Sequence, residues 1–325
     1  MIEAIGLGKR YEPSGVDALA DVSFSVAAGE VFGFLGRNGA GKSTTVRILT
    51  TLLQPTTGTA RVGGHDVIDE PSQVRQILGA ALQEAALDEL MTGREHLVLA
   101  GRLVGLPKPT AAGRADELLT TFGLVAAADR VAATYSGGMR RRLDVAMAMV
   151  RRPPVLFLDE PTTGLDPQGR RALWQLVADL RQEGTAVFLT TQYLAEADEL
   201  SDRVAIVHDG RIAATGTPQE LKDQVDTTTV RMQVSGATRA PAASLLDTPP
   251  TADGFVVLKV TGEASTVPAL IARLNAAGVE IERLAIMPPT LEDVFVKLTG
   301  EEIEASAGLG ESSSLSAVRR GLGRS

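Results

Sequence analysis

The stretch "GRNGAGKST" at residues 36–44 constrains the fold more than any other feature of this 325-residue sequence. It fits the pattern G-x-x-x-x-G-K-[ST] and lies between an apolar run at residues 30–36 and a helical run at residues 44–53. Glycines in such a loop let backbone N–H groups wrap a phosphate, and the following helix N-terminus adds positive potential. The context predicts a phosphate-binding loop in a layered α/β fold.

Every residue of this loop is a candidate nucleotide contact. We expect Lys42 to reach the β and γ phosphates and the Ser43 hydroxyl to bind Mg²⁺. The alternative is a glycine-rich turn without a ligand, and a chance match has odds on the order of one in a hundred. The candidates are Gly36, Arg37, Asn38, Gly39, Ala40, Gly41, Lys42, Ser43 and Thr44.

Two adjacent carboxylates end a second apolar run, "VLFLDEP" at residues 155–161. At the end of a buried strand they need a partner that offsets desolvation and mutual repulsion, and Mg²⁺ supplies one. Asp159 is then the metal-side carboxylate, and Glu160 is the general base that activates the attacking water. The alternative is a pair of solvated acids.

A third motif, "YSGGMRRR" at residues 135–142, places a serine and two glycines before a helical run. The pattern is typical of a backbone grip on phosphate at a helix N-terminus. A plain loop with an N-cap explains the spacing equally well.

Composition narrows the class of protein. Hydrophobic residues make up 44% of the chain, enough for one large and one small domain, and the net charge of −8 argues against a broad basic surface for nucleic acid. The chain has no cysteine, which excludes disulfides and thiolate metal sites. We find no signal peptide and no apolar stretch of about 18 residues, the length of a membrane-spanning helix.

The sequence predicts two domains and a tail. Residues 1–226 alternate strands and helices, with buried strands at 30–36, 154–159 and 185–191 and a helical subdomain at about 88–150. A helix is expected after Asp166 as N-cap, with Trp174 in core or interface packing. A compact α+β module is expected at residues 227–301, and a disordered tail at residues 302–325.

In this order, the motifs resemble those of the nucleotide-binding subunit of an ABC transporter, over residues 1 to about 220. The resemblance implies a P-loop NTPase of the ABC type that uses ATP and Mg²⁺. It makes "YSGGM" the family's signature motif, with Tyr135 and Met139 in place of the common Leu and Gln. Ser136, Gly137 and Gly138 would hold the γ-phosphate of the ATP bound to the other subunit.

Three further residues take their roles from the same resemblance. Tyr11 matches the aromatic residue that stacks on adenine, although an ordinary tyrosine at a strand end is the alternative. Gln83 matches the glutamine that contacts Mg²⁺ and relays the nucleotide state, although an exposed glutamine is the alternative. Asp166, in "GLD", belongs to the loop that couples the two sites across a dimer.

The stretch "TTQYL" at residues 190–194 places Gln192 where the family usually has a switch histidine. This feature and "PPTLEDVF" in the C-terminal module resemble the daunorubicin-resistance type of drug-exporter ATPase. Glutamine can donate a hydrogen bond to the γ-phosphate but cannot become cationic. We favour an active ATPase, and the alternative is a regulatory module that binds ATP with little hydrolysis.

The resemblance also implies partners. It predicts a homodimer, or a heterodimer with a related chain, at the cytoplasmic face of the membrane, driving a separate transmembrane permease. Export of a hydrophobic drug or antibiotic-like compound is implied, although no residue identifies the cargo. Translation-associated and DNA-repair ABC ATPases are disfavoured, because neither a second nucleotide domain nor a long coiled coil is present.

Overall fold

The computed structural model describes residues 1–83, 87–225, 227–235, 238–246, 255–261 and 266–301. Contacts within the chain divide it into two compact units, the first ending at Pro218 and the second beginning at Gln219. The tail for which disorder was predicted lies outside the described residues.

Among the described residues, the first unit combines two sheets with seven α-helices and two 3-10 helices, Val125–Ala127 and Ala132–Thr134. Its strands are β1 (Ile2–Tyr11), β2 (Val16–Val26), β3 (Val31–Gly36), β4 (Thr57–Val62), β5 (His65–Asp66), β6 (Leu78–Ala81), β7 (Val155–Asp159), β8 (Ala186–Thr191), β9 (Arg203–His208) and β10 (Arg211–Gly216). Its helices are α1 (Lys42–Leu49), α2 (Pro71–Ile77), α3 (Gly93–Leu103), α4 (Lys108–Thr121), α5 (Gly137–Ala148), α6 (Pro167–Gln182) and α7 (Leu194–Leu200).

The central sheet has the strand order β10-β9-β3-β8-β7-β6, and all neighbours except β10 and β9 run parallel. Every residue of β3, β7 and β8 is buried. Strands covered on both faces need apolar residues throughout, which is why these three were predicted correctly.

Parallel order brings the carboxyl ends of β3, β6, β7 and β8 to one edge of the sheet. The phosphate-binding motif follows β3, the two carboxylates end β7, and Gln192 follows β8. Open α/β sheets bind ligands at this edge. The topology therefore gathers motifs that are far apart in the sequence.

The central sheet is packed between two apolar layers. On one side, towards the antiparallel sheet β2-β1-β4-β5, five phenylalanine rings form stacked and tilted pairs with centroids 5.4 to 6.0 Å apart, within the range of favourable aromatic pairs. The rings belong to Phe24, Phe32, Phe34, Phe157 and Phe188. The other layer includes apolar residues of α3, α4, α5 and α6. The long stretch predicted to be helical contains α3, α4 and α5.

The second unit is a small α+β module. Helix α8 (Pro218–Asp223) precedes β11 (Thr227–Val234), α9 (Arg239–Leu246), β12 (Phe255–Thr261), α10 (Thr266–Ala276), β13 (Ile281–Met287) and α11 (Leu291–Thr299). Its antiparallel sheet has the order β12-β11-β13. Helix α9 was not anticipated from sequence, because Pro241 and Ser244 interrupt a short run of helix-forming residues.

Helix α11 is capped at both ends. The Thr290 side chain accepts from the Asp293 backbone, the Asp293 side chain accepts from the Thr290 backbone, and Gly300 ends the helix with φ 72°. Within the described ranges, no helix combines the length and apolarity that crossing a bilayer requires.

Candidate active site

The loop between β3 and α1 is a backbone cradle. Gly39 and Gly41 have φ values of 86° and 101°, which favour glycine, and a Cβ on Gly41 would lie 2.5 Å from the Ala18 carbonyl oxygen. Gly41 is the N-cap of α1. Glycine at these two positions therefore allows the chain to form the turn. The turn leaves the first backbone N–H groups of α1 available to a ligand.

Lys42 is buried, and its ammonium group has three polar partners. Its Nζ donates to the carbonyl oxygens of Gly36 at 2.8 Å and Arg37 at 3.1 Å, and it forms an ion pair with Glu160 Oε1 at 3.0 Å. The two side chains are only 4% and 8% exposed. The phosphate-binding motif and the second carboxylate, which are over a hundred residues apart in sequence, therefore meet in one contact.

Thr190, at the end of β8, organises both carboxylate positions. Its hydroxyl donates to Asp159 Oδ1 at 2.5 Å and accepts from the Glu160 backbone N–H at 3.0 Å. Glu160 itself has φ 47°, a left-handed conformation that is costly for a residue with a side chain. The surrounding contacts hold Glu160 in this conformation, with its carboxylate beside Lys42 rather than along the strand direction.

A cavity of about 250 Å³ lies at this edge of the sheet. Its wall includes Gln83 and Glu160 together with much of the phosphate-binding loop. The lining residues are Ala18, Asn38, Gly39, Gly41, Lys42, Ser43, Thr44, Gln83 and Glu160. The structure therefore brings Gln83, which was assigned from resemblance alone, to the same space as Lys42 and Ser43.

Tyr11 and Gln192 are not among the described residues that line this cavity. The Tyr11 hydroxyl is 3.4 Å from Thr44 Oγ1, and the Lys9 ammonium is 5.6 Å from the Tyr11 ring centroid. Gln192 is half-buried in the turn between β8 and α7. Its predicted contact with phosphate stays a prediction.

Ser136, Gly137 and Gly138 of "YSGGM" line a second, separate cavity of about 470 Å³. Ser136 is the N-cap of α5, and Asp166 is the N-cap of α6, with its Oδ1 accepting from the Gly169 N–H at 2.7 Å. The cavity is lined by Ser136, Gly137, Gly138, Arg142, Gly164, Asp166, Gln168, Gly169 and Ala172. Among the described residues, it shares no lining residue with the first cavity.

Tyr135, the departure from the usual signature leucine, has a packing role. Its side chain is buried, its hydroxyl donates to the Ala127 carbonyl oxygen at 2.7 Å, and burial raises the pKa of the phenol. The ring joins the apolar cluster of the helical region while the hydroxyl satisfies a backbone acceptor. The tyrosine therefore anchors the chain immediately before Ser136 to the Ala127 backbone.

Glu196, on α7, is a buried acid four residues after Gln192. Burial raises the pKa of its carboxyl to about 7, against the opposing effects of Thr191, Thr162 and Trp174. Neither Oε1 nor Oε2 of Glu196 accepts a well-formed hydrogen bond from the described residues. Trp174, predicted for core or interface packing, lies near this carboxyl and acts to lower its pKa.

We expect Glu196→Gln to flatten the dependence of stability on pH. The folded carboxyl titrates near pH 7 and the unfolded one near pH 4.5, so the unfolded chain loses its proton first as pH rises. The wild type therefore loses stability between these pH values, by at most on the order of 3 kcal/mol. The melting temperature of Glu196→Gln relative to wild type should rise from pH 5 to pH 8. An equal rise in the control Glu199→Gln, or no rise in either, would contradict this assignment.

Three buried residues of this region, Thr190, Glu196 and Arg141, had no role assigned from the sequence, although Thr190 stands in "TTQYL" and Arg141 in "YSGGMRRR". Thr190 alone had a signal, because a hydroxyl in a fully apolar strand beside an acid-bearing strand suggests a hydrogen bond. Glu196 reads as an ordinary residue of an acidic helix, and Arg141 as one of three consecutive arginines. Their burial becomes visible only in the folded chain.

Comparison with known families gives two matches. Residues 19–163 match the ABC transporter family, and residues 216–299 match the C-terminal domain of ATP-binding proteins like DrrA1-3. Together they cover most of both units.

Curated relatives match over nearly the whole chain. The daunorubicin/doxorubicin resistance ATP-binding protein DrrA of Streptomyces peucetius is 46% identical over 310 residues, covering 92% of each chain. The doxorubicin resistance ATP-binding protein DrrA of Mycobacterium tuberculosis is 44% identical, covering 92% of this chain and 94% of its own. Among solved structures, a dimeric, post-hydrolysis ATP-binding cassette bound to ADP and Pi aligns with a TM-score of 0.62 at 25% identity, over 67% of this chain and 98% of its own.

Proposed function

We infer the function from the chain's membership of a family: it belongs to the ABC transporter ATP-binding proteins of the daunorubicin-resistance (DrrA) type. It is an ATP-binding and ATP-hydrolysing subunit. We propose that it works as a pair of copies that sandwich two ATP molecules and drive a separate transmembrane permease at the cytoplasmic face of the membrane. The cargo we propose is a hydrophobic drug or antibiotic-like compound, as the names of the relatives suggest.

The observation that carries the two-copy mechanism is the separation of the two cavities. The Lys42 cavity has a cradle and a base, whereas the Ser136 cavity has a helix N-terminus and Asp166. The two cavities share no lining residue in the described part of the chain, so a single copy offers two half-sites. A second copy in the opposite orientation would complete both.

Magnesium fits the oxygen donors around the first cavity. The Ser43 hydroxyl and the Gln83 amide lie in its lining, and the buried Asp159 carboxylate, which is not a lining residue, directly precedes the lining residue Glu160. All three offer oxygen, the ligand type that Mg²⁺ prefers. In the described residues no group of three acids, histidines or cysteines could hold a metal, so phosphate and water oxygens would supply the remaining ligands. When bound, the ion would neutralise the charge that develops on the transferred phosphoryl group.

The reaction steps follow from the contacts of Lys42. Incoming phosphates would attract its ammonium, which must then leave Glu160. The freed Glu160 carboxylate could accept a proton from water, while the Gln192 amide donates to the γ-phosphate. Hydrolysis would reopen the pair. The regulatory alternative gains no support, and Lys42, Asp159 and Glu160 are all present.

The first test is ATP turnover by the full chain with and without Mg²⁺, and with and without membranes that contain a candidate permease. We expect turnover that requires Mg²⁺ and rises with the permease. Binding of ATP without turnover in either condition would favour the regulatory alternative.

The same assay tests Gln192. We expect Gln192→Ala to lower ATP turnover by about 10²-fold, because one donor to the developing negative charge is lost. Nucleotide affinity should stay within about threefold, since Lys42 and the loop backbone are untouched. Gln182→Ala, at the exposed end of α6, is the control and should match the wild type. Equal turnover in both variants would remove Gln192 from the mechanism.

A further inference from the structure

Arg141 is a buried arginine at the junction of three functional segments. Its guanidinium donates to the carbonyl oxygens of Leu82 at 2.5 Å, Asp159 at 2.7 Å and Pro161 at 3.1 Å. The fourth contact is an ion pair with Asp144 Oδ2 at 2.9 Å. One side chain thus uses its planar set of donors on acceptors that belong to different parts of the chain.

Each acceptor adjoins a residue of the proposed reaction. Leu82 immediately precedes Gln83, and Asp159 and Pro161 flank Glu160. Arg141 itself stands on α5, whose N-cap is Ser136. The guanidinium is therefore a direct physical link between the helix of one half-site and the backbone that carries the metal-side and water-side groups of the other.

The buried guanidinium of Arg141 needs hydrogen-bond partners close to it. Burial lowers the pKa of Arg141, whereas the carboxylates of Asp144, Asp159 and Glu196 act to raise it. Burial also raises the pKa of Asp144 to about 6, and the guanidinium acts in the opposite direction. A buried charge without its hydrogen-bond partners is strongly destabilising, so the three carbonyls and Asp144 hold the guanidinium in one place.

We propose that Arg141 is a positioning residue that aligns Gln83 and Glu160 with the Ser136 helix, and that turnover depends on its forked shape rather than on its charge alone. The proposal rests on the function proposed above. Lysine keeps the charge but presents its donors from one nitrogen, so it cannot reach all three carbonyl oxygens in the same geometry. Small displacements of catalytic groups are sufficient to slow a reaction by orders of magnitude.

The test compares Arg141→Lys with Arg114→Lys in the full chain. Arg114 is a matched control: it also donates to two backbone carbonyls, Met149 and Val150, and pairs with an acid three residues later, but away from the site. We expect Arg141→Lys to lower kcat for ATP by about 10- to 100-fold with the affinity for a fluorescent ATP analogue within about threefold. Arg114→Lys should leave kcat and affinity within about twofold of wild type.

Three results would overturn the proposal: wild-type kcat in Arg141→Lys, an equal loss in Arg114→Lys, or parallel losses of kcat and affinity. If Arg141→Lys does not fold, Asp144→Asn is the second variant, because it removes the carboxylate that orients the guanidinium. We expect it to lower kcat by about 10-fold at unchanged affinity, and a wild-type kcat there also rejects the proposal. A wild-type chain without ATPase activity would contradict the proposed function instead.

Discussion

Replacing Glu160 by glutamine is expected to lower ATP turnover by about 10²- to 10⁴-fold, the contribution of a positioned general base. Glutamine keeps the shape of the side chain but does not accept a proton from water. ATP should still bind, because the backbone cradle and Lys42 remain. The chain should then accumulate as an ATP-bound dimer, which size-exclusion chromatography with Mg²⁺ and ATP measures directly.

Glu183→Gln is the control for this experiment, since Glu183 is an exposed acid at the end of α6. It should hydrolyse ATP at the wild-type rate and show no dimer at steady state beyond that of the wild type. Substantial turnover by Glu160→Gln would show that another group activates the water. Loss of turnover without a nucleotide-dependent dimer would separate Glu160 from dimer reopening.

Replacing Lys42 by methionine is expected to weaken nucleotide binding by about 10²- to 10³-fold, because a buried cation that contacts phosphate is lost. The change also leaves the Glu160 carboxylate without its ion pair beside the incoming phosphates, which adds like-charge repulsion. Equilibrium binding of a fluorescent ATP analogue measures the effect. Lys108→Met, at the exposed start of α4, should bind nucleotide as the wild type does.

The Lys42→Met variant also tests the two-copy arrangement. Ser136→Arg places a bulky cation at the start of α5 and should block the second half-site of its own chain. Mixed dimers of Lys42→Met and Ser136→Arg contain one complete site, formed by Lys42 of one copy and Ser136 of the other. An equal mixture should recover about a quarter of wild-type turnover, although each variant alone is inactive. No recovery in the mixture would argue against sites shared between copies.

The sequence was sufficient for the parts of the site that local chemistry determines. The loop around Lys42 needs its glycines, and the strands that end at Gly36, Asp159 and Thr191 need apolar residues on both faces. These requirements leave clear patterns in a single chain. The ion pair of Lys42 with Glu160 was not predicted from the sequence; it becomes visible in the folded sheet, whose parallel strands place the carboxyl ends of β3 and β7 at one edge.

The remainder depended on contacts between segments that are distant in sequence. Arg141 reaches Leu82 across 59 positions, and Thr190 reaches Asp159 across 31. Neither spacing has a period or a motif, so only the folded register Asp159 to Thr190 reveals the second contact. Glu196 was missed for a similar reason, since the face of a seven-residue helix that becomes buried is decided by its neighbours.

The ion pair between Lys42 and Glu160 has a further consequence for the order of events in the site. With the proposed roles, Glu160 is an internal competitor of ATP, because the carboxylate and the phosphates seek the same ammonium. These roles would make the contact an interlock, because Lys42 would hold the Glu160 base until phosphate binds and displaces it. Binding of phosphate would then determine when Glu160 can activate water.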